Sequence, residues 1–167
     1  MGRVSTGVKG IGLREKDEVV DMVVVSSPDS QLMTICENGY GKRTNQDEYP
    51  RKHRGGVGVI DIKTTDRNGP VVACKEVMGD DEVMIVTQDG VLIRTEVGGI
   101  STVGRNTQGV RVINLGEGDR VIDMTQVPKD KDNLEADESS SEDSQMADEG
   151  TLEESADSAQ TPSEGSE

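Results

Sequence analysis

Aromatic side chains are nearly missing from this 167-residue chain, which has no Phe, no Trp and only two Tyr, so any core must be aliphatic. No apolar run approaches the ~20 residues that a membrane-spanning helix needs. The opening MGRVSTGVKG lacks the apolar stretch of a secretory signal. Two Cys separated by 38 positions make neither a disulfide framework nor a zinc-ligand spacing, and a reducing cytoplasm is the expected compartment. With one histidine, a Ser–His or Cys–His pair could use only His53, which lies between Lys52 and Arg54 and reads as part of a basic loop. Gly55-Gly56 and Gly98-Gly99 open no helix as a P-loop would, and no dinucleotide fingerprint is present. Asp80-Asp81-Glu82 has no second carboxylate cluster at a defined spacing and reads as a turn rather than a metal site. The pattern argues against an enzyme acting alone, and no catalytic residue or metal ligand is expected.

The residues that are present fall into two regimes. All 21 Val and all 9 Ile precede Pro128. From Pro128 onward there are 14 acidic and two basic side chains, a net charge of -12, with Ser, Asp, Glu and Ala dominant. A segment of that kind buries too little apolar surface to offset its ordering entropy, so residues 128–167 are expected to be a disordered acidic tail. Its charge could compete with phosphate for a basic face, or serve only solubility. Residues 1–127 carry 16 basic and 19 acidic side chains, so the acidic pI of 4.4 belongs to the tail and does not exclude nucleic-acid binding. Within them, Lys42 to Arg67 holds seven bases and four acids, whereas Glu76 to Asp89 holds five acids and no base.

The apolar segments are short, β-branched and punctuated by glycine. Residues 19–25, 32–36, 57–62, 71–77, 83–87, 91–95, 110–115 and 120–127 read as strands. None shows a helical period. Asn38-Gly39, Asn68-Gly69 and Asp89-Gly90 read as type I′ hairpin turns. The pattern also repeats. Gly7, Gly56 and Gly109 each precede Val, follow a basic residue by four (Arg3, Lys52, Arg105) and precede Ile by four (Ile11, Ile60, Ile113). CENGYGKRT (36–44) superposes on TQDGVLIRT (87–95) at an offset of 51. A period near 50 in an all-β chain implies propeller-like blades of about four strands. The chain holds about two blades and the start of a third, with units near 1–51, 52–103 and 104–127. Two blades cannot close a ring, so exposed faces and strand edges are expected. A fragment of a longer protein is the favoured reading.

IRTEVGGISTVGRNTQGVRVI (93–113), MGRVSTGVKGI (1–11), GGVGVIDI (55–62) and TDRNGPVVACKEV (65–77) resemble the last blades of the DNA gyrase A family. The related A-type subunit of topoisomerase IV has more degenerate blades, in which VGRNTQGV is not expected. The resemblance implies an incomplete β-pinwheel over 1–127, one that binds and wraps duplex DNA on a basic perimeter. The full enzyme introduces negative supercoils with ATP and magnesium used elsewhere, so no cofactor is expected in this chain. Implied partners are duplex DNA, the gyrase B subunit and the rest of the gyrase A subunit, with no membrane. The catalytic-tyrosine core is absent, and so is the family's QRRGGKG box, of which Arg54-Gly55-Gly56-Val57-Gly58 is only an echo.

Duplex phosphates call for Arg and Lys along a track, with affinity falling steeply with salt. Arg3, Lys52 and Arg105 stand just ahead of the repeated Gly-Val, Arg43 and Arg94 recur after the hairpin turn, Lys42, Arg51 and Arg54 reinforce the middle unit, and Lys9 and Arg111 follow the repeated glycine. The alternative is a protein-interaction fragment that assembles with the missing blades or other gyrase domains and binds DNA poorly alone. Cys36 and Cys74 are expected as small buried hydrophobes, and Tyr40 and Tyr49 as strand-packing residues.

Overall fold

Alternating aliphatic and polar residues build seven strands in the computed structural model, which describes residues 2–127. They are β1 (Gln31–Cys36), β2 (Tyr40–Asn45), β3 (Val71–Val77), β4 (Glu82–Thr87), β5 (Leu92–Glu96), β6 (Val110–Arg111) and β7 (Val121–Val127). Period-two alternation is clean in β4, where Val83, Ile85 and Thr87 are buried and Glu82, Met84 and Val86 are half-buried. In β1 all four residues from Met33 to Cys36 are buried, so both faces of that strand are covered. The chain is all-β, in two antiparallel sheets ordered β3-β1-β2-β6 and β5-β4-β7. Met33, Ile35, Ala73, Val77, Val83, Ile85, Val97, Ile100, Ile113, Val121 and Met124 form one core without an aromatic ring.

The repeat interlocks. β6 lies well beyond the hairpin β1–β2 in sequence, yet it completes that sheet through Tyr40↔Arg111 and Gly41↔Val110. The register of the repeat differs from the expected one. Gly7, Gly58 and Gly109, each 51 apart, adopt φ of 82°, 83° and 74°, and Gly56 is not among the positive-φ glycines. The basic residue four positions ahead is therefore Arg54, not Lys52. The isoleucine four positions on is Ile62, buried at 7% exposure, whereas Ile60 is 62% exposed.

Two expected strands do not form. Residues 19–25 and 57–62 have no ladder partner, and Val19, Val24, Val57 and Ile60 are exposed. In the repeat, 19–25 is equivalent to β3 and β7, which pair with β1 and β4, and among the described residues no strand pairs with 19–25 in that way. A β-prone sequence without a neighbour leaves its ladder groups unpaired. Residues 112–115 also leave the expected strand, because the backbone N–H groups of Val112 and Ile113 turn to the Gly39 carbonyl at 2.9 and 3.2 Å. The turns at Asn38-Gly39 and Asp89-Gly90 are three-residue loops with a positive φ at the glycine alone, closed by Gly39 N–H to Cys36 O and Gly90 N–H to Thr87 O, both 3.1 Å. Such loops combine a type I turn with a glycine bulge, which accounts for the difference from type I′. Asn68-Gly69 is no hairpin, since Gly69 N–H reaches back to Thr65 O at 2.9 Å. The expected disordered segment 128–167 lies outside the described residues.

Glu76 on β3 fastens the loop that leads into β1. It accepts bonds from Ser30 Oγ at 2.5 Å, Ser26 N at 2.7 Å, Ser26 Oγ at 2.8 Å and Ser27 N at 3.2 Å. The Ser30 bond first, with the Ser26 and Ser27 bonds, holds this carboxyl down to about 2 despite some desolvation. A depressed carboxyl stabilises the fold above its unfolded pKa, and that contribution is lost as protons bind. Between pH 4.5 and about 2 the urea midpoint of the wild type should therefore fall more steeply than that of Glu76→Gln. Parallel curves would show that the serine bonds do not discriminate the charged form.

Candidate nucleic-acid interface

After the 3-10 turn Gln46–Glu48 the chain leaves the sheet and exposes Arg51, Lys52, His53 and Arg54. None of these four forms an ion pair among the described residues. The N-terminal segment is laced to this loop by Gly12 N–H to Gly56 O and Gly55 N–H to Gly10 O, both 2.8 Å. That lacing brings exposed Lys9 beside it, its Cβ 4.0 Å from the position a Cβ would take on Gly55. Lys9, distant in sequence, thus joins Arg51, Lys52 and Arg54 in one solvent-facing region. Arg3 is exposed one repeat earlier, at the position equivalent to Arg54.

Arg105 is the third member of that series. Its guanidinium donates to Ile60 O at 2.9 Å and lies 5.8 Å from the Tyr49 ring centre, so it is half-tethered. The loop carrying it runs beside residues 60–63, where Lys63 N–H donates to Thr107 O at 2.8 Å. Asn68, fully buried, ties the same region together through its side-chain amide to Lys63 O and Gln108 O, both 3.1 Å.

Other expected contacts sit elsewhere. Lys42 is wholly buried, which corrects its assignment to a phosphate track. Its ammonium donates to Asp61 O at 2.6 Å, Thr44 Oγ1 at 2.8 Å, Gly104 O at 3.1 Å and Arg105 O at 3.4 Å, with Asp61 Oδ1 at 3.7 Å. Burial, outweighing the attraction of Asp61, lowers its pKa. Arg43 is half-buried and holds the Ile100 and Gly98 carbonyls and Gln31 Oε1, a packing role rather than an open cation. Arg94 is paired with Glu82 across the β4–β5 ladder. Arg111 is exposed and bonds Tyr40 Oη at 2.7 Å and Asn114 Oδ1 at 3.2 Å.

Asp61 links this network to Tyr49 Oη and, at 2.8 Å, to Thr34 Oγ1. Burial first, then the bond to Asp61, raises the Tyr49 phenol. Burial likewise pushes the Cys36 and Cys74 thiols up to about 11, which leaves them poor nucleophiles near neutrality.

The three-fold recurrence of this framework has a counterpart in known proteins. The family model of the DNA gyrase C-terminal domain, a beta-propeller, matches residues 1–26, 30–77 and 81–128. The chain belongs to this family. It is 47% identical over 137 residues to the DNA gyrase A subunit of Escherichia coli K12, covering 81% of this chain and 16% of that protein. Against its Staphylococcus aureus MRSA252 counterpart the identity is 46% over 142 residues, covering 84% and 16%. The chain thus spans 16% of the length of these relatives. A solved gyrase A C-terminal domain superposes with a TM-score of 0.55 at 31% identity, over 57% of this chain and 33% of that one. The C-terminal domain of DNA topoisomerase IV gives 0.69 at 24% identity over 81% and 43%, a likeness of fold. The last two gyrase-family matches start 51 residues apart, the same period as the positive-φ glycines.

Sequence reasoning missed two features of this gyrase-family chain. One is the polar set Thr34, Lys42, Tyr49 and Asp61, whose equivalents 51 residues on are Ile85, Ile93, Ile100 and Val112. That polar-for-apolar exchange is visible in the sequence once the register is right. The other is Arg67, which stacks 4.7 Å from the Tyr40 ring centre and is held there by the Asn38 side chain, a clasp across 29 positions that no local pattern specifies.

Proposed function

We propose that this chain is a DNA-binding and DNA-wrapping module of the DNA gyrase A subunit. In this reading it serves ATP-dependent negative supercoiling by an enzyme whose B subunit hydrolyses the ATP, in the cytoplasm. Residues 1–127 form the wrapping body, and the acidic residues from Pro128 follow it. The observation that supports this reading is the exposed cluster of Lys9, Arg51, Lys52 and Arg54 without ion pairs among the described residues, flanked by Arg3 and Arg105 at equivalent positions. Uncompensated cations of this kind neutralise phosphates and release counterions, giving affinity that is steep in salt and indifferent to sequence. A change of Arg51, Lys52 and Arg54 together to Ala should make the log–log salt slope of duplex binding shallower by about 2.7, at ~0.9 for each phosphate no longer neutralised. Fluorescence anisotropy on the full chain measures it. An unchanged slope would remove these residues from the interface.

A second reading is favoured by one observation, the unpaired segments 19–25 and 57–62 with their exposed valines. In it the chain works by adding to the remaining blades or other gyrase domains and binds DNA poorly alone. Absence of duplex binding at low salt by the folded chain, with binding restored on mixing with the preceding part of the gyrase polypeptide, would select it.

A further inference from the structure

Away from the Arg51–Arg54 loop, two guanidiniums converge on one phenol. Tyr40 and Arg111 are direct cross-strand partners between β2 and β6. Arg111 lies 5.1 Å from the Tyr40 ring centre while its Nη2 donates to the phenol oxygen at 2.7 Å. Arg67 reaches the same ring at 4.7 Å from a turn clasped by Asn38, whose Nδ2 donates to Asp66 O at 3.1 Å and Arg67 O at 3.2 Å. The two guanidinium carbons are therefore at most about 10 Å apart, within a Debye length at 0.1 M salt. Both arginines are exposed, and neither has a carboxylate partner among the described residues. Holding two like charges this close costs energy that a bound anion would offset. The scaffold itself does not require the group, since the positions equivalent to Tyr40 and Arg67 one repeat later are Val91 and Gly118.

We propose that Arg67, Arg111 and Tyr40 form a seat for a phosphate oxyanion, the two planar forks supplying donors and the ring fixing their orientation. The Arg67 and Arg111 guanidiniums already hold the Tyr40 phenol below its ordinary value, so the phenol oxygen reports on how strongly they are engaged. The source is either a backbone phosphate of duplex DNA or a free phosphate. In the first case the seat rests on the DNA-binding reading and adds a contact outside the basic loops.

With only two tyrosines, 3-fluorotyrosine labelling of the full chain gives two fluorine resonances, assigned with Tyr49→Phe. Short duplex DNA and inorganic phosphate are titrated separately, with anisotropy of the duplex followed in parallel. The expected result is a saturable shift of the Tyr40 resonance by duplex, abolished in Arg67→Gln/Arg111→Gln. That double variant should also bind duplex about tenfold more weakly, with a salt slope shallower by ~0.9 to 1.8. A shift by inorganic phosphate alone supports the seat and assigns it to a free oxyanion. An immobile Tyr40 resonance with both ligands overturns the seat, and does so even if anisotropy shows duplex held by the Arg51–Arg54 loop. Absence of any duplex binding refutes the DNA reading separately, because the phosphate titration still decides the seat.

Discussion

Lys42→Met should lower the unfolding free energy by about 3 kcal/mol, the scale for removing one member of a buried, hydrogen-bonded charge pair. Lys42 is 0% exposed. Its ammonium satisfies the carbonyls of Asp61, Gly104 and Arg105, and methionine has no donor for any of them. Two effects compete. Removing a buried cation relieves its desolvation, and exchange of whole ion pairs for apolar groups is often neutral or better. Here only one partner goes, so three carbonyls are left without their donor and the Asp61 carboxylate, still bonded by Tyr49 and Thr34, loses its neighbouring cation, and that penalty dominates. The neighbouring repeat shows what a complete exchange looks like, with Ile85, Ile93, Ile100 and Val112 at the four equivalent positions. Lys42→Ile combined with Thr34→Ile, Tyr49→Ile and Asp61→Val should accordingly recover part of the stability that the single variant forfeits. Urea denaturation of the set decides the matter. A single variant as stable as wild type would mean that water replaces the ammonium.

Gly109→Ala should be nearly as damaging, while Gly58→Ala, at the equivalent position, is mild. Both glycines have positive φ, 74° and 83°, a conformation that costs an alanine roughly 1 kcal/mol. Their surroundings separate them. A Cβ on Gly109 would stand 2.7 Å from the Gly41 carbonyl oxygen and 3.0 Å from its carbon, whereas nothing lies within 4 Å of one on Gly58. Backbone on both sides cannot step aside without opening the β2–β6 ladder, so the expected cost at Gly109 is on the order of 3 kcal/mol. Because that ladder places Arg111 against Tyr40, the same substitution should also disturb their pairing. Equal losses at the two positions would show that conformational strain alone, and not the close approach, governs both.

Much of this architecture was written locally. Val83, Ile85 and Thr87 alternate with half-buried neighbours because side chains leave a strand on opposite faces, and that rule needs only adjacent residues. The glycines at 39 and 90 mark hairpin loops for a similarly local reason, although the loop type required the backbone angles. The motif around VGRNTQGV sufficed to point to the gyrase family, and the family match spans the same residues.

The remaining properties depend on partners far along the chain. Residues 19–25 are as valine-rich as any strand here, but a ladder needs a second strand, and none pairs with them among the described residues. The repeat could be placed two residues out of register at its middle copy because Gly56 and Gly58 both precede Val, and only backbone angles and the burial of Ile62 tell them apart. Lys42 reads as one more surface cation until carbonyls some sixty residues later fold over it. Arg67 gains its place beside Tyr40 from the clasp of Asn38, an interaction across 29 positions. Alternation and turn chemistry are short-range and can be read from neighbouring residues. Whether a charge is buried, or a β-prone segment paired, is set by what long-range folding brings against it.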